Sequence, residues 1–293
     1  MQGISITQFI QSVVSGLLLG GTFAVLAVGF SLILGVARVV NLAHPVFALV
    51  GAYVTYWLLE LYGWNPLLSL VVVVPVLFLL GIGLERTVIR QTAKRTRDIT
   101  SASLVLTFGI VIIVENLLLF ICKATPRLVT TSFSGRSFFL GRIALPVNIL
   151  VSFAIAVVTV TAIYLLLYHT FLGKAARAVW QDREGALLMG INIGGVTAAT
   201  YGISFAAAGI GGTCMSLMYS IEPSTHWAWI TFVFAIVIVG GVGSIMGTAV
   251  ASLMIGLIIG VSGALIPLTW INLVLFGIII VLLLVRPTGL VRQ

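Results

Sequence analysis

The chain has 293 residues, 60% of them hydrophobic and only 8% charged, with a mean hydropathy of +1.25; a soluble domain carries about 25% charged residues. At about 20 residues per membrane span, this length suits an all-α, polytopic membrane helix bundle of eight or nine spans and leaves no room for a separate large catalytic domain. A net charge of +8 would point a soluble chain toward nucleic acid, but these cations fall in short connections between apolar runs, the pattern of membrane topology, and no nucleic-acid partner is expected.

In chain order, the segment MQGISITQFIQS places no Lys or Arg ahead of the first apolar run, so no cleavable signal peptide is expected. Apolar runs bounded by breakers predict spans near 9–34, 45–61, 67–84, 102–121, 146–168, 196–219 and 266–285. The apolar stretch 227–265 would extend about 58 Å as one helix, far beyond a hydrocarbon core of about 30 Å. It must break, and its glycine cluster is Gly240-Gly241-Val242-Gly243-Ser244-Ile245-Met246-Gly247. A broken helix and a re-entrant hairpin both fit; either is tolerated only where protein or a cavity satisfies the freed backbone groups, which places Gly240, Gly241, Gly243, Ser244 and Gly247 near a solute pathway.

Eleven of the 15 Lys and Arg fall in connections on one side: Arg38, Arg86, Arg90, Lys94, Arg95, Arg97, Lys174, Arg177, Arg183, Arg286 and Arg292. Lys123, Arg127, Arg136 and Arg142 fall on the other. The positive-inside rule puts the first group in the cytoplasm, the N-terminus outside and the C-terminus inside. Small residues recur at four-residue spacing (Gly16, Gly20 and Ala24; Gly202 and Ala206; Ser204, Ala208 and Gly212; Gly256 and Gly260). Such faces serve close helix packing or line a solute route, and spacing does not separate the two.

The chemistry of the chain is sparse. No GxxxxGK[ST] segment occurs, so any ATP that drives it is bound by another subunit. The three histidines lie far apart without HExxH-type neighbours, and no metal is expected. Cys122 and Cys214 match no metal spacing, and whether they pair is open. Glu115 lies near the outer end of its span, as a pathway residue or as an interfacial one paired with Asn116 or water; no other midplane ion suggests a coupled carrier. The stretch 173–192, alanine-rich and closed by Gly190, predicts one or two short cytoplasmic helices with Trp180, Leu187 and Leu188 available for burial. It is either a knob for another protein or a helix resting on lipid headgroups.

These residues carry a family resemblance along nearly the whole chain. Val40-Asn41-Leu42-Ala43-His44, followed by Gly51 and Tyr53, resembles the Asn-Phe-Ala-His motif of the permease subunits of branched-chain amino acid ABC importers. The glycines of the first span, Glu85-Arg86 with Arg90, the segment from Gly173 to Asn192, the Gly240–Gly247 cluster and Arg286-Pro287-Thr288-Gly289-Leu290 resemble further family motifs in the same order. Pro45-Val46 stands where the family has Gly-Glu.

The resemblance implies one transmembrane permease domain over 1–293, in the inner membrane. It implies two ABC ATPase subunits, a second related permease in a heterodimer, and a periplasmic or extracellular substrate-binding protein. The chain itself would hold no cofactor and catalyse nothing, ATP being bound by the partners. It further implies an ATPase-coupling role for Gly173, Lys174, Arg177, Asp182, Gly190 and Asn192. Asn41, His44, Glu115 and Asn116 join the glycine cluster as pathway candidates, and Arg127, Arg136 and Arg142 are candidates for binding-protein docking. The expected cargo is a branched-chain or other hydrophobic amino acid, or a related small polar solute. A secondary transporter or channel is the alternative, and a membrane-embedded enzyme a distant third.

Overall fold

The computed structural model describes residues 6–96, 98–141, 143–286 and 289–290. Its helices are α1 (Ile6–Ala37), α2 (His44–Tyr62), α3 (Pro66–Leu84), α4 (Arg90–Arg95), α5 (Ile99–Cys122), α6 (Val147–His169), α7 (Phe171–Gln181), α8 (Arg183–Leu188), α9 (Ile193–Met218), α10 (His226–Gly240), α11 (Ile245–Leu265) and α12 (Ile271–Val285). Among the described residues, seven helices are long and apolar enough to cross a membrane, and α10 and α12 are shorter apolar helices. The protein is an all-α polytopic bundle. A short hairpin, β1 (Ser137–Leu140) paired antiparallel with β2 (Ile143–Pro146), was not anticipated and lies between α5 and α6.

The chain is too apolar for burial to sort its faces, so small residues decide which helices meet. α1 is the most enclosed helix of the bundle. It crosses α11 backbone to backbone: a β-carbon on Gly16 would stand 2.7 Å from the Gly260 Cα, and one on Gly20 2.8 Å from the Gly256 Cα. Likewise Gly51 of α2 meets Gly209 of α9. The small-residue stripes are therefore packing faces, as expected where lipid offers no hydrophobic drive to hold helices together. α3, α5 and α6 lie mostly uncovered, with Val71, Leu79, Val105, Phe120 and Val158 exposed.

One end of the bundle, the basic end, carries Arg38, Arg86, Arg90, Lys94, α7 and α8. There α3 passes into a π-helical turn, Glu85–Ile89. Residues five apart diverge around an α-helix, whereas the π turn stacks them. Glu85 Oε2 accordingly accepts from Arg90 Nη2 at 2.7 Å, and Oε1 accepts from Arg90 Nε at 3.1 Å and from the Thr197 hydroxyl at 3.0 Å. Arg90 Nη2 also reaches the Gly194 carbonyl, binding α3 to the first turn of α9. Asp98 caps α5, and hydrogen bonds from Ser101, then Thr100, hold its carboxyl below the usual carboxylate range.

The stretch 227–265 does break at its glycines, into the separate helices α10 and α11. The deeper interruption lies elsewhere. His44, the first residue of α2, sits against Ser204, about 16 Å along α9 from its start. Residues 38–43 thus descend into the bundle as irregular backbone, tolerated because protein surrounds it. Thr107 of α5 serves this segment twice: its hydroxyl accepts from the Leu42 N–H at 3.1 Å and lies 3.2 Å from the Val40 carbonyl. Pro45 falls in the first turn of α2, where its missing N–H costs nothing.

Candidate functional site

At the basic end α7 turns back against the end of α6. A β-carbon on Gly173 would stand 2.5 Å from the Leu166 carbonyl, so only glycine fits the bend. The Asp182 carboxylate caps α8, accepting from the Glu184 and Gly185 N–H groups at 3.1 and 3.0 Å. Gly190 takes φ 78° as the chain leaves α8, and the Ile191 N–H closes the turn on the Ala186 carbonyl. Asn192 caps α9 by accepting from the Gly195 N–H at 2.9 Å. These four residues shape the loop. Arg177 turns inward, its guanidinium 4.7 Å above the Tyr168 ring with Nε buried and unpartnered. Lys174 is exposed.

Beside its exposed charges (Lys174, Asp182, Arg183 and Glu184), the loop presents an apolar tip. Leu187, Leu188 and Met189 are 62%, 88% and 83% exposed. Trp180 is instead used internally, packing against Gly243 in the turn between α10 and α11. Of Trp180, Leu187 and Leu188, all expected to be available for burial, only Trp180 is used within the chain, while Leu187 and Leu188 face outward with Met189.

The turn at Gly241–Ser244 is fixed from several sides. Gly241 and Gly243 take φ of 93° and 81°, a region that suits glycine. The Gly243 N–H donates to the Ser31 hydroxyl of α1 at 3.1 Å. The Ser244 hydroxyl caps α11 by accepting from the Gly247 N–H at 3.0 Å, and Gly247 packs on Gly240 where the two helices separate. The Leu290 N–H donates to the Val239 carbonyl at 2.8 Å, so Gly289 and Leu290 lie over this turn. The turn meets α1 at Gly35, near the basic end.

The remaining pathway candidates lie apart from it. His44 is fully buried between α1, α2 and α9: Nε2 is 3.0 Å from the Leu26 carbonyl, and the Ser204 hydroxyl lies 3.3 Å from Nδ1 while donating to the Gly29 carbonyl. Asn41 Oδ1 accepts from the Ala43 N–H, leaving Nδ2 buried without a partner. Glu115 is toward the other end of α5, where Oε1 accepts from Trp227 Nε1 at 3.3 Å and Oε2 lies 3.8 Å from His226 Nε2. Asn116 donates to the Ile112 carbonyl of its own helix. The structure therefore places these candidates in three separate regions.

Of the candidate docking cations, Arg127 is half-buried, donating to the Tyr56 hydroxyl at 3.3 Å and lying over that ring. Its backbone pairs with Ile221, tying this loop to the one before α10. Arg136 is exposed beside the β hairpin. Arg142, like Arg97 and Arg292 of the charge count, lies outside the described residues. Cys122 and Cys214 are buried, free thiols.

The sequence reading missed the Glu85–Arg90–Thr197 network, because an i, i+5 pair has no α-helical meaning until the π turn is known.

Comparison with known proteins places this architecture. Residues 12–284 match the family described as the permease component of branched-chain amino acid transport systems. The chain is 27% identical to the high-affinity branched-chain amino acid transport system permease protein BraD of Pseudomonas aeruginosa, with 98% of this chain and 97% of that protein aligned. It is 25% identical to the corresponding LivH protein of Escherichia coli K12, over 97% and 96% of the two chains. It is 31% identical to the "Probable branched-chain amino acid transport permease protein LivH" of Methanocaldococcus jannaschii, over 82% and 76%. No solved structure matches the chain. With a match running from the first helix to the last, the chain belongs to the permease-component family of branched-chain amino acid transport systems.

Proposed function

We propose that this permease works in an ABC importer whose ATPase subunits receive α7 and α8, and that its cargo is a branched-chain or similar hydrophobic amino acid. The observation that carries the coupling role is the outward row Leu187–Leu188–Met189 on a loop otherwise held rigid by Asp182, Gly190 and Asn192. Exposed apolar residues gathered at one tip mark a contact surface. The relatives' printed names support the cargo.

In this reading the basic end faces the cytoplasm, by the positive-inside rule, with the N-terminus outside and the C-terminus inside. α10, α11 and α12 each cross, giving nine crossings in an inner membrane. A second related permease completes a heterodimer, and a binding protein delivers substrate from the far end, where Arg136 is available to meet acidic side chains.

The joint at Trp180 is the route for work. ATPase closure displaces α7, and Trp180 passes the motion to Gly243, which is bonded to Ser31 of α1. α1 and α11 then move together, because their glycines lock backbone to backbone. Substrate shifts this equilibrium only through a difference in affinity between states. Asn41 Nδ2 is a buried donor left free to meet a solute oxygen when the bundle opens.

The test is reconstitution of the permease with its ATPase subunits and binding protein in proteoliposomes. ATP-dependent uptake of labelled leucine supports the reading. Uptake driven by a proton or sodium gradient without ATP overturns it in favour of a secondary transporter.

A further inference from the structure

A cavity of about 520 Å³ opens at the basic end between the end of α1, the π turn, α4, the start of α5, α8 and the first turns of α9. Its wall carries four cations, Arg38, Arg90, Lys94 and Arg183, against one carboxylate, Glu85. That carboxylate is already occupied by Arg90 and Thr197. The wall is left with an excess of positive charge, to which the N-terminal turn of the 26-residue α9 adds its partial charge. Tyr201 lines the same cavity, fully buried, with its hydroxyl lacking any hydrogen-bond partner. A buried donor with no acceptor is costly unless something else fills the place.

We propose that this cavity is an oxyanion site that takes the phosphate of an anionic phospholipid headgroup. Arg90 and Lys94 follow the 19-residue apolar helix α3 after the π turn, and Ile99 opens α5, so the cavity sits where the apolar layer ends. That is the level of lipid phosphates, and basic pockets between membrane helices on the cytoplasmic side hold such headgroups. The assignment rests on the basic end being cytoplasmic, as proposed above. Lys94 and Arg183 clasp the phosphate from opposite walls while Tyr201 donates from the floor. Arg183 is the first residue of α8, so an occupied site ties the coupling loop to α4.

The experiment uses the complete transporter, permease with its ATPase subunits, exchanged into phosphatidylglycerol or phosphatidylcholine and weighed by native mass spectrometry. A third arm adds inorganic phosphate in phosphatidylcholine. Retained phosphatidylglycerol is expected, with affinity falling about thirtyfold in Lys94→Gln/Arg183→Gln. Tyr201→Phe is expected to weaken binding about tenfold yet raise the thermal midpoint of the lipid-free protein, since it removes an unpaired hydroxyl. A merely structural tyrosine would not move these two readouts in opposite directions. Inorganic phosphate binding with the same variant dependence supports the oxyanion site and assigns its source to solution. Equal retention of both lipids with no phosphate binding, or variants that bind as wild type, overturns the proposal. So does binding to the permease alone that vanishes when ATPase subunits are added, because ATPase side chains then fill the cavity. With lipid binding intact, absence of ATP-dependent leucine uptake in the proteoliposome reconstitution would instead count against the importer reading alone.

Discussion

The indole of Trp180 packs against Gly243, with Cε2 and Cζ2 each 3.1 Å from where a β-carbon on that glycine would stand. The contact joins the loop at the basic end to the turn between two membrane helices. Gly243 also has φ 81°, so a side chain there is strained even before it meets the indole. Gly243→Ala should cost about 1–2 kcal/mol in backbone strain, which is about tenfold in an equilibrium when it falls on the conformational step. Uptake should drop by that factor while membrane insertion persists. Gly83→Ala is the control, because a β-carbon there meets nothing within 4 Å. Equal uptake by the Gly243 and Gly83 variants would remove Trp180–Gly243 from the coupling route.

Leu188 and Arg177 should separate docking from folding. Leu188 is 88% exposed, so Leu188→Ser should leave the permease's own thermal midpoint unchanged. Burial of that side chain in an ATPase groove is worth about 2 kcal/mol, so ATPase association should weaken about thirtyfold. Arg177→Glu removes the stack on Tyr168 and should lower the midpoint of the permease alone, by an amount corresponding to about 1 kcal/mol. Association measured by titration and unfolding measured in detergent read the two effects independently.

The ion pair between Glu85 and Arg90 sets the exit of α3. Removing one partner of a buried pair costs about 3–5 kcal/mol, and with the Arg90 side chain 33% exposed the lower end of that range is expected. Glu85→Gln should therefore destabilise the protein by about 3 kcal/mol, read as a lowered unfolding midpoint in detergent. The double variant Glu85→Gln/Arg90→Gln should recover part of it, since no charge is left stranded. A single-variant loss below about 1 kcal/mol would show the pair to be solvated.

At the far end, Arg136 and Arg127 should behave differently. Arg136 is exposed, and exposed rim charges act mainly on association rate. Arg136→Ala should slow binding-protein docking at low ionic strength, with the difference fading as salt screens it over about 10 Å at 0.1 M. Arg127→Ala should instead disturb the permease itself, because Arg127 stacks on Tyr56. Stopped-flow docking across a salt series checks both; salt-independent rates would make Arg136 ordinary solvated surface.

Most of the helices were legible because an apolar run with breakers at its ends leaves few alternatives. The expected 67–84 is Pro66–Leu84 in the structure, and 196–219 is Ile193–Met218. That 227–265 breaks was legible from its length, and where along the sequence from its glycines. Its place in the bundle was not: the turn docks at Gly35 near the basic end, whereas the deep interruption is 38–43, whose depth is set by tertiary contacts such as Gly51 on Gly209. The β hairpin had a readable signal in Gly141, which takes φ 63° just after β1 and which an all-α expectation passed over. In the 173–192 loop the sequence marked the segment and its apolar residues Trp180, Leu187 and Leu188. It could not show that Arg177 turns inward, or which of the three is used within the chain, since those contacts exist only once α7 folds back over α6 and the glycine turn.

The coupling claim is tested most directly by a single crosslink. A cysteine placed by Leu188→Cys in the assembled importer, with the native Cys122 and Cys214 buried, should be joined by a bifunctional thiol reagent to a cysteine introduced on the ATPase surface. That link should arrest leucine uptake while ATP still binds. A cysteine at 188 that labels only lipid, or that links to an ATPase with uptake undiminished, would contradict a coupling role for α7 and α8.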